Sequence, residues 1–329
     1  MNSRQRFNET MSYGNPDRVP FFEEGIRRDV LDTWRKQGMS QGMRLSELVP
    51  IDHRLEIFPD LEPYPPLRQW PENSEALGDF RQRMDPHDSR RLPDDWPSLL
   101  KEHQNREQPL MLRLHRGLYQ TLGVSGWKRF AEVNLLLMDK PKLVREILEI
   151  QADFAAQLVE RILANVTIDA AVFSEPISGN SGPLISPRMF EDFVVTSYLP
   201  LLNILDSYNV HTIIFRTYAN ARILLPIVVR YGFNCLWACE VDPHAMAYAQ
   251  IRQEFGRDLR LIGGIDTDVL YKDKDTIRHE VFDKVPPLLA SGGFIPLADG
   301  RVRAIVPFEN YIYYRRQLAQ VVGQSFQMP

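Results

Sequence analysis

Short apolar stretches alternate with amphipathic helical stretches along almost the whole chain, and this alternation constrains the fold more than any other feature. Such alternation is typical of βα units on a parallel sheet. The eight strand-like stretches are residues 18–23, 53–58, 110–115, 170–174, 212–216, 235–240, 259–265 and 294–298. Eight strands interleaved with helices over about 300 residues predict an α/β fold of the (β/α)8 type, a TIM barrel.

One long polar segment interrupts this rhythm after the second strand. Residues 62–109 are rich in proline, and a structureless loop of that length is uncommon unless it has a function. Because the alternation resumes after it, we expect residues 1–329 to form one domain with an insertion at residues 62–109. The insertion follows a strand, so we expect it to cover the mouth of a pocket as a lid, packed down by Trp70, Phe80 and Trp96.

The charge balance excludes several classes of protein. The chain has 39 Lys and Arg against 43 Asp and Glu, a formal net charge of −4. We therefore expect no nucleic-acid partner, since nothing supplies the excess of positive charge that phosphates require. We expect no membrane association, because no apolar run approaches the roughly 18 residues of a spanning helix. The first residues lack the apolar core of a signal peptide, so we expect a cytoplasmic protein.

The two cysteines are predicted to be structural. Cys235 and Cys239 fall four residues apart on a predicted strand, which separates them by roughly 13 Å at about 3.3 Å per residue. That distance suits neither a disulfide nor a shared metal ion. We expect two buried thiols.

Polar side chains follow all eight predicted strands, at the end where a barrel of this type has its active site. The acidic candidates for proton transfer, or for orienting the arginines, are Asp60, Glu175 and Asp299. The candidates for binding substrate are Arg28, Arg113, His115, Arg116, Arg216, Tyr218, Glu240, Asp266 and Arg301. Several arginines among carboxylates indicate a small anionic substrate, because a guanidinium binds a carboxylate through two parallel hydrogen bonds.

Five segments carry a family resemblance when they are taken in order. They are Arg4-Gln5-Arg6-Phe7, Asp17-Arg18-Val19-Pro20, Gly182-Pro183-Leu184-Ile185-Ser186-Pro187-Arg188-Met189-Phe190, Gly263-Gly264-Ile265-Asp266-Thr267, and Asp299-Gly300 with Val306-Pro307-Phe308-Glu309-Asn310. Together they resemble the uroporphyrinogen decarboxylase superfamily over nearly the full length. The resemblance implies a (β/α)8 barrel and, in most members, a homodimer.

The decarboxylase branch of that superfamily works without a metal ion or cofactor. It uses an aspartate after the second strand, and Phe58-Pro59-Asp60 matches that segment, so the resemblance implies a catalytic role for Asp60. Its arginines after the first strand are not matched, since this chain reads Glu23-Glu24-Gly25-Ile26-Arg27-Arg28. Its late histidine is replaced by Asp299.

A second branch transfers methyl groups between a corrinoid protein and a small methylated substrate or thiol. Its thiol-activating members bind Zn through a His-x-Cys segment after the fifth strand and through a later cysteine. This chain has Arg216-Thr217-Tyr218 at the first position, and His211 falls at the wrong end of that strand. We expect Cys239 to point toward the helices if Glu240 points into the pocket. A zinc site of that kind is not predicted, although Glu175, Glu240 and Asp299 remain conceivable ligands of another metal.

Three hypotheses follow. The first is metal-free decarboxylation of a carboxylated substrate, tetrapyrrole-like or smaller, with Arg116, Arg216 and Arg301 holding substrate carboxylates and Asp60 stabilising the intermediate. The second is methyl transfer with a corrinoid protein as partner. The third is a non-catalytic binder of a tetrapyrrole or small acid, which the many charges at the strand ends disfavour.

Overall fold

The computed structural model describes residues 1–115 and 117–326, and a curled parallel sheet of seven strands lies at its centre. The strands in chain order are β1 Leu55–Ile57, β2 Leu110–His115, β3 Ala170–Glu175, β4 Ser178–Gly179, β5 Gly182–Pro183, β6 Ile213–Tyr218, β7 Cys235–Cys239, β8 Arg260–Ile265 and β9 Phe294–Ala298. The sheet has the order β1-β2-β3-β6-β7-β8-β9, while β4 and β5 form a separate antiparallel pair. The architecture is consistent with a TIM-like fold.

Helices lie between successive strands of the sheet, as the alternation predicts, while three further helices precede β1 and one follows β9. They are α1 Ser3–Met11, α2 Arg28–Lys36, α3 Leu45–Leu48, α4 Leu77–Gln82, α5 Trp96–Gln104, α6 Leu118–Thr121, α7 Trp127–Asp139, α8 Pro141–Leu163, α9 Pro187–Met189, α10 Thr196–Ser207, α11 Leu225–Arg230, α12 Tyr248–Phe255, α13 Lys274–Ser291 and α14 Phe308–Val322. At the start of α9 the Ser186 side chain accepts a hydrogen bond from Met189 N, and Pro187 opens the first turn. Within the described ranges, none of the helices has both the length and the apolar character needed to cross a membrane.

The sheet buries different side chains on its two faces because residues alternate along each strand. On the concave face, Met111, Val172, Ile214, Trp237 and Ile295 pack with other apolar side chains, and α1 adds Phe7 and Met11 to this set. On the outer face a larger cluster joins the intervening strand residues to the helices. The concave face therefore forms the interior of the curled sheet.

The expected strand at residues 18–23 does not form, which corrects the prediction of eight strands. Phe21 and Phe22 are buried, yet the only ladder contact of this region among the described residues is an isolated parallel bridge between Ile26 and Val302. The Phe21 N–H, which a ladder would need, donates instead to Asp52 Oδ2 at 2.7 Å, and the N–H groups of Glu24 and Gly25 donate to the Glu23 carboxylate. The hydrogen-bonded sheet therefore ends at β1 on one side and β9 on the other.

The insertion at residues 62–109 packs against the outer helices through its described contacts. Lys140 Nζ donates to Glu72 O at 2.9 Å, and Ser74 Oγ donates to Glu146 of α8, also at 2.9 Å. Phe80 is fully buried and lies 5.7 Å from Trp70, between ring centroids, while Trp96 is partly buried against the same core. These three side chains hold the insertion as expected, whereas its role as a lid stays a prediction.

Candidate active site

Three arginines surround one tryptophan on the concave face of the sheet. The guanidinium carbons of Arg54, Arg113 and Arg216 lie 4.9, 5.4 and 4.8 Å from the centroid of the Trp237 ring. Their side chains are only 13%, 11% and 14% exposed. Arg113 comes from β2, Arg216 from β6 and Trp237 from β7, and Arg54 directly precedes β1. We call Arg54, Arg113 and Arg216 the arginine cluster.

Glu56 joins two members of the arginine cluster. Its carboxylate accepts hydrogen bonds from Arg113 Nε at 3.1 Å and Arg113 Nη2 at 3.0 Å, and a third from Arg54 Nε at 3.0 Å. Burial alone would raise the pKa of Glu56, but the charges of Arg113 and Arg54 outweigh it, so the pKa is lowered. Glu56 is therefore a fixed negative charge that orients both guanidinium groups.

Glu24 pairs with the third member. Its Oε1 accepts a hydrogen bond from Arg216 Nη2, and its Oε2 lies 3.6 Å from Arg54 Nη2. The Glu24 side chain is 4% exposed, and burial raises its pKa in spite of the neighbouring arginines. The cluster thus contains one carboxylate whose pKa is lowered, Glu56, and one whose pKa is raised, Glu24. Such pairs are common in active sites where one group holds a charge and the other exchanges a proton.

The cluster retains unused hydrogen-bonding capacity. Arg113 Nη1 and Trp237 Nε1 are buried and have no hydrogen-bond partner in the described part of the chain, and the same is true of Glu24 Oε2. Buried donors are normally paired, because leaving one unpaired costs about 1–3 kcal/mol. With three guanidinium groups against two carboxylates, the cluster has a positive excess, so an anion with acceptor oxygens fits the free donors.

Cys239 also lies on the concave face, contrary to the expectation that it points toward the helices. Its Sγ accepts a hydrogen bond from Arg216 Nε at 3.5 Å, and Glu240, the next residue, is exposed with a φ of +47°. Burial raises the pKa of the Cys239 thiol to about 12, so the neutral thiol dominates. Both cysteines are buried and unpaired, as predicted.

The residues around Cys239 do not fit a zinc-thiolate site, because the adjacent Arg216 guanidinium, which donates to Cys239 Sγ, would repel the cation. Across residues 1–115 and 117–326, no group of three or more His, Cys, Asp or Glu is arranged to hold a metal ion. The three carboxylates that the sequence left as conceivable metal ligands do not share one site. Glu175 and Asp299 are buried in different hydrogen-bond networks, and Glu240 is exposed.

Glu175 lies on the outer face of the sheet with His115. Its carboxylate accepts hydrogen bonds from Tyr198 Oη at 2.5 Å and from Leu118 N at 3.0 and 3.1 Å, and His115 Nδ1 lies 4.0 Å away. Glu175 is fully buried, and burial raises its pKa to about 7. Burial also lowers the pKa of His115 to about 3, so the imidazole is neutral. Glu175 and His115 therefore lie on the opposite face of the sheet from the arginine cluster.

The raised pKa of Glu175 predicts a pH-dependent stability. A carboxyl that titrates at 4.5 when unfolded and about 7 when folded contributes stability below pH 4.5 and loses it as pH rises through 7. The shift corresponds to roughly 3 kcal/mol. We expect Glu175→Gln to abolish this loss, so that its stability relative to wild type improves between pH 5 and pH 8 in urea unfolding.

Glu149→Gln, on the exposed side of α8, controls for the loss of one negative charge. An equal difference between Glu175→Gln and wild type at both pH values would contradict the assignment of the titration to Glu175.

Asp299 and Asp266 hold the loops that follow the last strands. Asp299 Oδ1 accepts a hydrogen bond from Thr267 N at 3.0 Å and Oδ2 accepts one from Val241 N at 3.0 Å, so it links the loops after β7 and β8. Burial raises the pKa of Asp299, although the hydrogen bonds from Thr267 oppose the shift. Asp266 caps the short turn after β8 by accepting from Asp268 N at 2.8 Å.

Other predicted site residues are more exposed. Asp60 is 42% exposed, accepts a hydrogen bond from Glu62 N at 2.9 Å and lies 3.9 Å from Arg91. Arg28 is exposed at the start of α2, and Arg301 is exposed after β9. Tyr218 is half-buried against the concave set. Arg116 falls outside the described residues.

Sequence reasoning found Arg113 and Arg216 but missed Glu24, Arg54, Glu56 and Trp237 as site residues. The missed signal was charge inside the predicted strands. Arg54 and Glu56 are two residues apart in the stretch predicted as the second strand, a spacing that puts both on one face. Charged residues at alternate strand positions are unusual for a buried sheet and so mark the face that carries a site.

Comparison with known proteins agrees with this architecture. A family model described as uroporphyrinogen decarboxylase (URO-D) matches residues 122–295, which is more than half of the chain. The matched region includes Arg216, Trp237 and Cys239, whereas Glu24, Arg54, Glu56 and Arg113 precede it. No curated protein matches the chain.

Proposed function

Because this chain belongs to the uroporphyrinogen decarboxylase family, we propose that it is a carboxy-lyase that removes CO2 from a small carboxylated substrate bound at the arginine cluster. The observation that carries the proposal is the pair of buried, unpartnered donors, Arg113 Nη1 and Trp237 Nε1, beside three guanidinium groups. A carboxylate accepts hydrogen bonds from both kinds of donor, and it would compensate the positive excess of the cluster. The low exposure of the guanidinium groups favours a substrate smaller than a tetrapyrrole.

Glu56 and Glu24 have different roles in this proposal. Glu56 holds Arg113 and Arg54 in place, so the substrate meets a preorganised donor array. Glu24 has the role of proton donor, since its Oε2 has no hydrogen-bond partner in the described part of the chain and burial raises its pKa. The substrate carbon that bears the departing carboxylate first takes the proton of Glu24, which makes the substrate electron-poor. When the bond to the carboxylate breaks, its electron pair stays on that carbon, CO2 leaves, and solvent reprotonates the Glu24 carboxylate.

Asp60 keeps the role that the family resemblance implies, as stabiliser of the electron-poor intermediate. Its carboxylate is 42% exposed and lies 3.9 Å from the buried Arg91, at the start of the insertion. We propose that the reaction needs neither a metal ion nor a cofactor. The neutral thiol of Cys239 next to Arg216 supports a site built for anion binding.

The experiment measures CO2 release from isotopically labelled substrates. The purified chain is incubated with uroporphyrinogen and with a panel of small aromatic and aliphatic polycarboxylates, with and without a chelator. We expect CO2 release from a member of the small-acid panel, unaffected by the chelator. Stoichiometric zinc in the purified protein together with chelator-sensitive turnover would contradict the metal-free reaction. Methyl transfer from a methylated donor to a corrinoid protein, without CO2 release, would replace the proposal by the alternative.

A further inference from the structure

Three arginines surround the ring of Tyr13 at the amino ends of the strands, away from the carboxyl ends where a barrel of this type has its active site. The guanidinium carbons of Arg252, Arg257 and Arg260 lie 5.7, 5.0 and 5.0 Å from the centroid of the Tyr13 ring. Arg260 is the first residue of β8, and Tyr13 follows α1. None of the three arginines forms an ion pair with a carboxylate of the described residues. We call Tyr13 and these arginines the Tyr13 cluster.

The Tyr13 ring is fixed in place by its surroundings. Its backbone has a φ of +57°, a left-handed conformation that is strained for tyrosine and that persists only where the packing imposes it. Gly293 gives the ring space, since a Cβ there would lie 2.4 Å from Tyr13 Cε1. Arg252 Nη1 donates a hydrogen bond to Tyr13 Oη at 2.8 Å, and its Nη2 donates to Gly292 O at 2.9 Å. Arg252 therefore holds the ring, and strained backbone of this kind is often found at ligand sites.

The other two arginines keep donors that no other part of the described structure uses. Arg257 is exposed and forms neither a hydrogen bond nor an ion pair with a described residue. Arg260 donates only through Nε, to Met11 O at 2.7 Å, which leaves both of its Nη groups. Both guanidinium carbons lie 5.0 Å from the same ring centroid, so they are within about 10 Å of each other, roughly one Debye length at 0.1 M salt, and their positive fields overlap. An anion at this point would meet two uncompensated charges and free donors.

An open cavity of about 750 Å³ adjoins the Tyr13 cluster, and Arg260 forms part of its wall. A cavity of this volume is large enough for a small molecule. The uncharged polar side chains of its lining are those of Asn8, Ser12, Asn209, Thr212 and Asn234. Such hydroxyl and amide groups favour a ligand that bears hydroxyl or amide groups itself, rather than an apolar one.

We propose that Arg257 and Arg260 bind the phosphate of a phosphorylated small molecule, whose hydroxylated part occupies the adjacent cavity. A phosphate fits these donors better than a carboxylate does, because it carries a charge of roughly −1.5 to −2 and three strong acceptor oxygens. Each guanidinium group can donate two parallel hydrogen bonds to those oxygens. The site is separate from the arginine cluster, so the proposal does not depend on the carboxy-lyase reaction.

The acidic residues of the cavity limit the ligand to one phosphate. Asp169 is already paired with Arg4 and Arg106, at 2.8 and 2.9 Å. Glu9 also lines the cavity, and among the described residues its carboxylate accepts a hydrogen bond only from Asn15 N, at 3.1 Å. A second phosphate in the cavity would therefore face an unpaired negative charge. We expect a monophosphate to bind more tightly than a bisphosphate of similar size.

Isothermal titration calorimetry of the full chain at constant ionic strength tests the ligand class. The probes are glucose 6-phosphate and adenosine monophosphate, compared with inorganic phosphate and with fructose 1,6-bisphosphate. We expect at least one of the two monophosphates to bind with a Kd of about 1 mM or below, more tightly than inorganic phosphate. Absence of binding by both monophosphates, or equal affinity for inorganic phosphate, would overturn the proposal. We expect Glu9→Gln to strengthen binding of the bisphosphate about 3- to 10-fold more than that of glucose 6-phosphate, and equal effects would contradict the role of Glu9.

Further variants, each checked for folding by circular dichroism, test the place of binding. We expect Arg257→Gln, which changes an exposed side chain, to weaken monophosphate binding about 10- to 100-fold, because a charge-assisted hydrogen bond is lost. Arg278→Gln is the matched control and should bind like wild type, since Arg278 is also exposed and stacks on an aromatic ring, that of Phe282, at 5.3 Å. Binding that Arg257→Gln leaves unchanged, or that both variants weaken equally, would overturn the proposal. Binding weakened by Arg113→Met but not by Arg257→Gln would place the phosphate at the arginine cluster and would overturn it as well.

Discussion

An Arg113→Met variant is expected to lose about 10²- to 10³-fold in kcat/KM for the substrate identified by CO2 release. Arg113 supplies one of the two unpartnered donors and forms a double hydrogen bond with Glu56. Truncating a buried, hydrogen-bonded charge typically costs 2–5 kcal/mol, and the middle of that interval, about 3–4 kcal/mol, corresponds to this change in kcat/KM at about 1.4 kcal/mol per factor of ten. Methionine is an unbranched, uncharged side chain, so the variant removes the guanidinium and its hydrogen bonds.

Two further variants make the Arg113→Met result specific. Arg113→Lys keeps the positive charge but not the planar fork, and we expect it to fall between wild type and Arg113→Met. Arg188→Met removes a side chain that is 91% exposed on α9, and it should leave the rate unchanged. Steady-state kinetics on samples with matched circular dichroism give the comparison. Equal rates for Arg113→Met and Arg188→Met would remove the arginine cluster from the reaction.

The central part of the fold was predictable because each strand is apolar, short and bounded by turn-forming residues. The boundaries of β2 and β9 agree with the prediction, and the other sheet strands shift by one to two residues at their ends. Residues 18–23 have the same apolar character but do not pair. The Phe21 N–H donates to the Asp52 carboxylate, and the Glu23 carboxylate contacts Tyr311 and Arg315, almost 290 residues later. No local sequence pattern reports contacts over such distances along the chain.

The site was less predictable than the fold because backbone irregularities decide where strand-end side chains point. The ladder between β2 and β3 shifts between Arg113 and His115, so that Arg113 pairs with Val172 on the concave face but His115 pairs with Phe173 on the outer face. Strict alternation would have left His115 beside Arg113. A positive φ at Glu240 has a similar effect at the end of β7, and there it turns the carboxylate out to solvent.

A loss of about 3–5 kcal/mol in the free energy of unfolding is expected for Arg315→Met, the largest effect on stability that we predict. Arg315 is fully buried and donates hydrogen bonds to Phe22 O at 2.8 Å and Pro50 O at 3.0 Å. Its Nη1 lies 3.4 Å from Glu23 Oε2. Without the guanidinium, a buried carboxylate and two carbonyl groups lose their partner, and breaking one side of a buried ion pair carries a cost of this size.

The neighbouring residue provides the control. Arg316 is exposed on the same helix, so Arg316→Met makes the same chemical change without burial. Urea unfolding should give a free energy of unfolding within about 0.5 kcal/mol of wild type.

A second variant, Glu23→Gln, separates the ion pair from the carbonyl contacts. If Arg315 acts on Glu23, the double variant loses less than the two single losses together, with a coupling of at least about 1 kcal/mol. Additive losses would mean that Arg315 contributes to stability through the carbonyl groups of Phe22 and Pro50 rather than through Glu23. Equal losses for Arg315→Met and Arg316→Met would mean that the segment at residues 21–26 is not anchored by α14.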